Sequence, residues 1–166
     1  VSGNSVGAIP EAEDPSDISH IPIFEAPANS GRDYGARIRG YVIPPVSGSY
    51  VFWIASNDDS ELFLSTDDQR ANRRKIAHVM GATDPRQWNK YPSQRSARID
   101  LVGGKLYYVE VLHKQGYGTD HVAVGWHLPD GTAEMPIPGN RLSAFDPTTH
   151  PVPTVRITSP SDGETI

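Results

Sequence analysis

The sequence predicts an all-β domain, a two-sheet sandwich or barrel with long loops and little helix. Short apolar runs rich in Val, Ile, Leu, Tyr and Trp recur along the 166 residues, and fifteen Gly and fifteen Pro lie among them. This spacing is typical of brief strands joined by turns. No segment repeats apolar residues at i, i+3, i+4 and i+7, so we expect helix only as short turns, such as one around 84–88.

The first strands follow from two-residue periodicity and the breakers between them. Ile38 and Val42 alternate with polar neighbours, the pattern of a half-buried strand. The run 44–48, which reads Pro-Pro-Val-Ser-Gly, ends this strand before Tyr50 begins the next. The same reasoning gives at least seven strands, near 36–43, 49–55, 61–65, 75–79, 97–101, 106–113 and 121–127.

The sixth predicted strand has the clearest sidedness. One face carries Tyr107, Val109 and Val111, which are all apolar, whereas the opposite face includes Glu110. Because successive side chains of a strand point to opposite faces, the first set should face the core.

The ends of the chain differ in composition from its centre. Residues 1–30 have little periodicity and are rich in Ser, Pro, Asp and Glu, so we expect them to lie over the domain as long loops. We assign 1–146 to one domain, 147–154 to a proline-rich linker, and 155–166 to the start of a following Ig-like β module. A piece of a longer, multidomain protein is therefore expected.

Charge and composition exclude several classes of partner. The net charge is −5 and the basic residues are dispersed, which argues against nucleic acid. The chain has no Cys, so it forms no disulfide framework or thiolate metal site. No apolar run is long enough to insert into a membrane, and no signal peptide is recognisable.

Two loops carry the most informative polar residues. Asp58 and Asp59 lie between two apolar strands, and 114–120 forms a glycine-rich loop that ends in Asp120. An acidic pair alone is common on solvated turns. If the two loops meet, however, their combined oxygens suit a hard divalent ion such as Ca²⁺.

An ordered set of motifs resembles the PA14 domain family over roughly 24–146. The set comprises Arg-Gly-Tyr at 39–41, Pro-Pro at 44–45, Gly-Ser-Tyr-Val-Phe at 48–52, Asn-Asp-Asp-Ser-Glu-Leu at 57–62 and Val-Ala-Val-Gly-Trp at 122–126. The resemblance implies a PA14-like β-sandwich or barrel. It also implies a carbohydrate-binding module of the kind found in secreted glycosidases, adhesins, toxins and flocculins, although toxin-type members serve in assembly and processing.

Lectin-type members of this family hold Ca²⁺ between two Asp residues joined by a cis peptide. Asp58 and Asp59 match that motif, so the resemblance implies that both ligate calcium and that the bond between them is cis. In an extended strand their side chains would point to opposite faces, which makes a departure from strand geometry necessary if both are to reach one ion.

The second loop would complete the site. The resemblance implies further calcium ligands from Gln115, Gly116, Gly118 and Asp120, where lectin members often present an Asn. Vicinal sugar hydroxyls would then replace water on the ion. The expected sugar-binding residues are the two carboxylates together with Asn57, Tyr117, Thr119 and His121, with Tyr117 being either a flat sugar platform or simply an exposed loop aromatic.

Other candidate residues have structural interpretations. We expect Trp53 and Trp126 to be core residues and Asp67–Asp68 to be a solvated turn. Trp88 and Tyr91 either line a sugar platform or anchor a turn. His113 and His121 flank the second loop and could share zinc, although no third ligand is evident.

Paired carboxylates also serve glycoside hydrolases, which is the rival function. Those enzymes need carboxyl groups about 5 Å or more apart, one of them with a raised pKa, whereas two acids sharing a cation both stay ionised. We therefore expect a non-catalytic, calcium-dependent carbohydrate-binding module, monomeric and extracellular, in a secreted or cell-surface adhesion protein. A catalytic domain could be attached elsewhere in the parent protein. A structural spacer or protein-interaction domain without a sugar ligand is the alternative.

Overall fold

In a computed structural model, two antiparallel sheets face each other across one apolar core. The structure describes residues 5–10 and 15–146. Within them the strands are β1 (Tyr34–Val42), β2 (Gly48–Asn57), β3 (Ser60–Leu64), β4 (Arg74–Val79), β5 (Ile99–Leu101), β6 (Tyr107–Gln115), β7 (His121–His127), β8 (Ala133–Glu134) and β9 (Leu142–Ala144). The all-β prediction is confirmed.

The strand order separates the two sheets. One sheet has five strands in the order β4-β3-β6-β1-β9, and the other has four in the order β5-β2-β7-β8. In the five-stranded sheet β6 is central, pairing with β1 and β3. In the four-stranded sheet β2 and β7 form the longest pair, with Asn57 opposite His121 and Val51 opposite His127.

The core lies between the sheets and follows from the alternation along each strand. On β2, Tyr50, Phe52 and Ile54 are fully buried. On β6, Val109 and Val111 meet them in the same apolar cluster, as their sidedness predicted, and Trp126 of β7 packs against Tyr50 and Phe52. Burial of these large side chains contributes roughly 1.5–3 kcal/mol each relative to exposure.

The seven predicted strands are all present, with boundaries that differ by a few residues. Two further strands, β8 with two residues and β9 with three, were not predicted from the sequence. No helix forms at 84–88, which is a pair of turns, and the only helical segments of the described residues are short 3-10 turns at Val6–Ala8, Arg70–Asn72, Pro92–Gln94 and Gly139–Arg141.

The segment 21–33 runs over the domain without forming a long strand, as predicted. It nevertheless pairs locally with β7, because Ala26 N donates to Val122 O and Val124 N donates to Phe24 O. Phe24 is buried in the core. The linker at 147–154 and the β module at 155–166 lie outside the described residues.

Two chain corners cross from one sheet to the other and lie side by side. Between β2 and β3 the chain leaves the four-stranded sheet for the five-stranded one, and between β6 and β7 it returns. Because β2 pairs with β7 and β3 pairs with β6, both crossings occur at the same end of the sandwich. Within the described residues no helix is both long and apolar enough to cross a membrane.

Candidate functional site

The two loops singled out by the sequence meet at this end of the sandwich. We call 57–59 the first loop and 116–120 the second loop. The Gly116 N–H donates to Asp58 Oδ2 at 2.9 Å, and the Asp58 N–H donates to Gln115 Oε1 at 3.1 Å. The Lys114 N–H also donates to Asp59 O at 2.9 Å. The contact between the loops, which the calcium hypothesis required, is therefore present.

Asp58 and Asp59 are both half-buried, and each uses one carboxylate oxygen within the protein. Asp58 Oδ2 accepts the bond from Gly116, and Asp59 Oδ1 accepts one from Gly81 N at 2.6 Å. The second oxygen of each carboxylate has no hydrogen-bond partner among the residues that the structure describes. Two adjacent carboxylates, each with one oxygen that makes no hydrogen bond within the described residues, suit a cation.

The non-proline cis peptide of the first loop is one residue earlier than the family resemblance implied. It joins Asn57 to Asp58, not Asp58 to Asp59. Asn57 therefore occupies the position before the cis bond, and its side-chain amide makes no hydrogen bond within the described part of the chain. Its backbone carbonyl accepts a bond from His113 Nε2 at 2.9 Å.

Gln115, the last residue of β6, is fully buried and connects the two loops through its side chain. Its amide oxygen accepts the Asp58 N–H, while its amide nitrogen points toward the carbonyls of Gly118 and Thr119 at 3.5 and 3.4 Å. The carbonyl of Gly116 accepts a bond from Asp33 N. Gln115 therefore positions both loops, and its oxygen is already used by the protein backbone.

The carboxylate of Asp120 faces a different set of partners. It is 1% exposed and accepts hydrogen bonds from Ser30 N, Gly31 N and, at 2.7 Å, the hydroxyl of Tyr34. Burial, followed by the bond to this carboxylate, raises the pKa of the Tyr34 hydroxyl. No local pattern in the sequence indicates this contact, because Tyr34 and Asp120 are 86 positions apart.

The expected cluster of three carboxylates does not form. Among the described residues no group of three or more His, Asp or Glu side chains is arranged to hold a metal ion. The structure thus brings together Asp58, Asp59 and the second loop, whereas Asp120 binds the segment that precedes β1.

The remaining loop residues separate into exposed and buried ones. Tyr117 is 76% exposed, and Gly118 and Thr119 are exposed beside it, so they can contact a ligand. Gly118 has a φ of +97°, which favours glycine there. His121, by contrast, is buried, and its Nε2 lies 2.9 Å from Thr83 O. The prediction that His121 contacts a sugar is therefore wrong, because the side chain lies beneath the surface of the second loop.

The two histidines do not form a shared zinc site. His113 Nε2 lies against Asn57 O and His121 Nε2 against Thr83 O, two different backbone carbonyls. Burial lowers the pKa of the His113 imidazole, so this side chain is neutral at neutral pH. Both histidines therefore support the loops as hydrogen-bond donors to the backbone.

Three further predictions concerned Asp67, Trp126 and Trp53, and the first two are confirmed. Asp67 accepts bonds from Gln69 N and the Asn72 amide, so the second acidic pair is a turn, as predicted. Trp126 is core, but Trp53 is only half-buried and lies on the outer face of β2. The alternation of Tyr50, Phe52 and Ile54 on the opposite face was the signal that could have placed it there.

Tyr91 anchors a turn, since its hydroxyl donates to Ala82 O at 3.2 Å. The neighbouring Trp88 is half-buried and makes no such bond within the described residues.

Gly81 also belongs to the candidate site through its bond to Asp59, and no motif in the sequence indicated that contact.

Comparisons with known proteins give a consistent result. The family model described as the PA14 domain matches residues 20–140. The mouse N-acetyl-beta-glucosaminyl-glycoprotein 4-beta-N-acetylgalactosaminyltransferase 1 is 37% identical over 121 residues, which are 64% of this chain but only 12% of that protein.

Two solved structures show the same fold at low identity. The epithelial adhesin 6 A domain of Candida glabrata, solved in complex with Galb1-3GlcNAc, has a TM-score of 0.53 at 12% identity and covers 69% of this chain and 52% of its own. An anti-sigma factor domain-containing protein from Clostridium clariflavum has a TM-score of 0.53 at 21% identity, covering 76% of this chain and 38% of its own.

Proposed function

Because the chain belongs to the PA14 domain family, we propose that it is a calcium-dependent carbohydrate-binding module. The observation that carries the proposal is the junction of the two loops, where Asp58 and Asp59 each keep one carboxylate oxygen free of partners within the described residues. The ion would bridge protein and sugar and would not act as a catalyst.

The donors at the junction fit calcium. Ca²⁺ takes about six to eight oxygen ligands and accepts carboxylates, carbonyls and water in flexible geometry. Asp58 and Asp59 would supply the charge, and backbone carbonyls of the exposed part of the second loop, with water, would supply the remaining oxygens. We leave Asp120 and the Gln115 side chain out of this ligand set, because the structure engages both with the backbone.

A sugar would bind by replacing water on the ion with two vicinal hydroxyls. Asn57, whose amide has no partner in the described chain, and Thr119 would hydrogen-bond further hydroxyls. Tyr117, which is 76% exposed, would present a flat ring to the sugar. Affinity for a monosaccharide should be weak, on the order of millimolar, and strengthened by multivalent display.

The comparisons support this class of ligand without naming the sugar. The adhesin domain from Candida glabrata was solved with a disaccharide, and its likeness to this chain concerns the fold. This chain matches only 12% of the mouse transferase, so we do not assign the transferase activity to this domain. We propose a monomeric, non-catalytic module in an extracellular setting, where calcium is abundant.

The test compares calcium binding by isothermal titration calorimetry for the wild-type protein, Asp58→Asn and Asp100→Asn. The first variant removes one of the two charges, so calcium affinity should fall on the order of a hundredfold, about 3 kcal/mol. The second makes the same chemical change at an exposed residue of β5 and should bind calcium like the wild type. Equal affinity of all three proteins would refute the site.

A glycan array in excess calcium and after chelation then tests the sugar. We expect signals that disappear with chelation and with Asp58→Asn but persist with Asp100→Asn. Calcium binding without any glycan signal would instead favour the spacer or protein-interaction function that the sequence left as an alternative.

A further inference from the structure

A second cleft, separate from the loop junction, lies against the outer face of the four-stranded sheet. It has a volume of about 280 Å³ and is lined by Trp53, Arg86, Gln87, Trp88, Asn89, His127 and Met135. This is close to the lower end of the range for small-molecule sites, about 300 Å³, and suits a single ring better than a drug-sized ligand.

The floor of the cleft is set by the pairing of β2 with β7. Trp53 and His127 project from the outer face of these strands, and Trp53 Nε1 donates to His127 Nδ1 at 2.8 Å. This bond uses His127 Nδ1 as the acceptor, and Nε2 has no partner in the described structure. Met135 closes one side by lying over Gly125, where a Cβ would come within 2.7 Å of Met135 Cγ.

The rim of the cleft comes from the turn at 86–89, which is held in place. Arg86 has a φ of +55° and donates two hydrogen bonds to Glu25, at 3.0 and 2.6 Å. The buried Gln94 donates to Gln87 O at 2.7 Å. These bonds order the turn without using the side chains of Trp88 and Asn89.

Several polar groups at the rim have no partner among the described residues. They are the indole N–H of Trp88, the whole side-chain amide of Asn89 and the amide nitrogen of Gln87, whose oxygen accepts the Asp84 N–H. Amides that donate and accept, placed around two indoles, match a ligand with C–H groups on one face of a ring and hydroxyls around its edge. A pyranose has this chemistry.

We propose that this cleft, the Trp53–Trp88 cleft, binds a neutral pyranose by stacking on Trp88, with Asn89 and Gln87 hydrogen-bonding its hydroxyls. Trp53, whose ring also contacts the Arg95 guanidinium at 5.5 Å from the ring centroid, forms the floor beneath the sugar. The site needs no metal, because its lining contains no carboxylate. It is also distinct from the loop junction: Trp53 lies four residues before Asn57 on β2, about 13 Å along the strand. The proposal is therefore independent of the calcium-dependent function.

The experiment is saturation-transfer-difference NMR of the full chain in excess EDTA. The probes are the methyl glycosides of glucose, galactose, mannose and N-acetylglucosamine, tested one at a time. At least one should receive saturation, strongest at the ring C–H protons that face the indoles. Absence of transfer to all four glycosides would overturn the proposal.

Variants locate the signal. Trp88→Ala should weaken binding of the responding glycoside on the order of tenfold, whereas Asp58→Asn should leave binding in EDTA unchanged. Leu106→Ala changes an exposed apolar residue outside the cleft and should also have no effect. A signal that is as strong in Trp88→Ala as in the wild type would show that the cleft is not the site.

Asn89→Ala provides a second route in case Trp88→Ala disturbs the turn. Asn89 is exposed and its side chain has no partner within the described residues, so its loss should leave thermal unfolding unchanged and still reduce saturation transfer. An unchanged transfer signal in Asn89→Ala, together with an intact fold, would contradict the assigned hydrogen bonds. Loss of calcium binding in the earlier titrations would not affect any of these results.

Discussion

At the scale of single residues, Asp120 shows how a conspicuous carboxylate can serve the fold. Its oxygens accept backbone hydrogens from Ser30 and Gly31, which precede β1, and the hydroxyl hydrogen of Tyr34 at the start of β1. The residue is almost completely buried. Hydrogen bonds to a buried charge are worth more than neutral ones, typically about 1.5–3 kcal/mol each. The residue therefore has the contacts of a structural anchor.

Asp120→Asn separates this structural role from calcium ligation. The new amide would place N–H donors against the donors of Ser30 or Tyr34, so we expect a loss of about 1–3 kcal/mol in the free energy of unfolding. Urea denaturation in excess EDTA and in excess calcium should give the same loss. A destabilisation seen only with calcium present would show that Asp120 is a ligand.

The sequence could predict the residues of the loop junction but not their partners. Adjacent carboxylates and a glycine-rich loop are visible as local patterns, and these identified Asp58, Asp59 and 116–120. The partners Gly81 and Tyr34 are supplied by distant parts of the chain. Trp53 was wrongly predicted to be a core residue because tryptophan is usually buried. The two-residue period of β2 instead places Trp53 on the outer face of the sheet, opposite the buried Tyr50, Phe52 and Ile54.

At the scale of secondary-structure elements, the strands of five or more residues were predictable, whereas of the three shorter strands only β5 was. Alternation over seven to ten residues identifies β2, β6 and β7. A strand of two or three residues, such as β8 or β9, carries no period to detect, and its formation depends on the neighbour with which it pairs. The end of β2 at Asn57 is likewise set by pairing with His121.

Gln115, the last residue of β6, contacts both loops through its side-chain amide, so replacing it should affect the whole loop junction. Gln115→Leu keeps a side chain of similar size but leaves the Asp58 N–H and the Gly118 and Thr119 carbonyls without their amide partner. We expect calcium affinity to fall about tenfold although the side chain touches no ion. Calorimetry measures this change.

Hydrogen exchange of the Asp58 amide distinguishes positioning from ligation. If Gln115 positions the loop, Gln115→Leu should speed exchange of that amide even in EDTA. Gln69→Leu, the same change in an exposed turn, should alter neither quantity. Unchanged exchange combined with weaker calcium binding would indicate that the Gln115 oxygen ligates the ion directly.

At the scale of the whole molecule, buried tyrosines set the response of stability to alkaline pH. Burial, followed by the hydrogen bond to Glu110, raises the pKa of the Tyr108 hydroxyl above its usual value near 10. The folded protein then holds a proton that the unfolded chain releases. Stability from this group is present below about pH 10 and is lost as pH rises, by up to about 1.4 kcal/mol per pH unit.

Tyr108→Phe should therefore flatten the alkaline limb of the stability curve. Urea denaturation between about pH 9 and pH 11 should show a smaller loss of unfolding free energy per pH unit than in the wild type. Tyr117→Phe, at a 76% exposed site, is the matched control and should keep the wild-type slope. An unchanged slope in Tyr108→Phe would assign the alkaline transition to other groups.

The segment before β1 has a further consequence, for the colloidal behaviour of the domain. Its backbone covers β7 where Val122 and Val124 would otherwise present unpaired polar groups. An uncovered strand of this kind is a template for pairing with another chain. The segment around Phe24 occupies these backbone groups of β7, so they are not available to pair with a strand of another molecule. The same segment that contributes Phe24 to the core should therefore also reduce self-association of the domain.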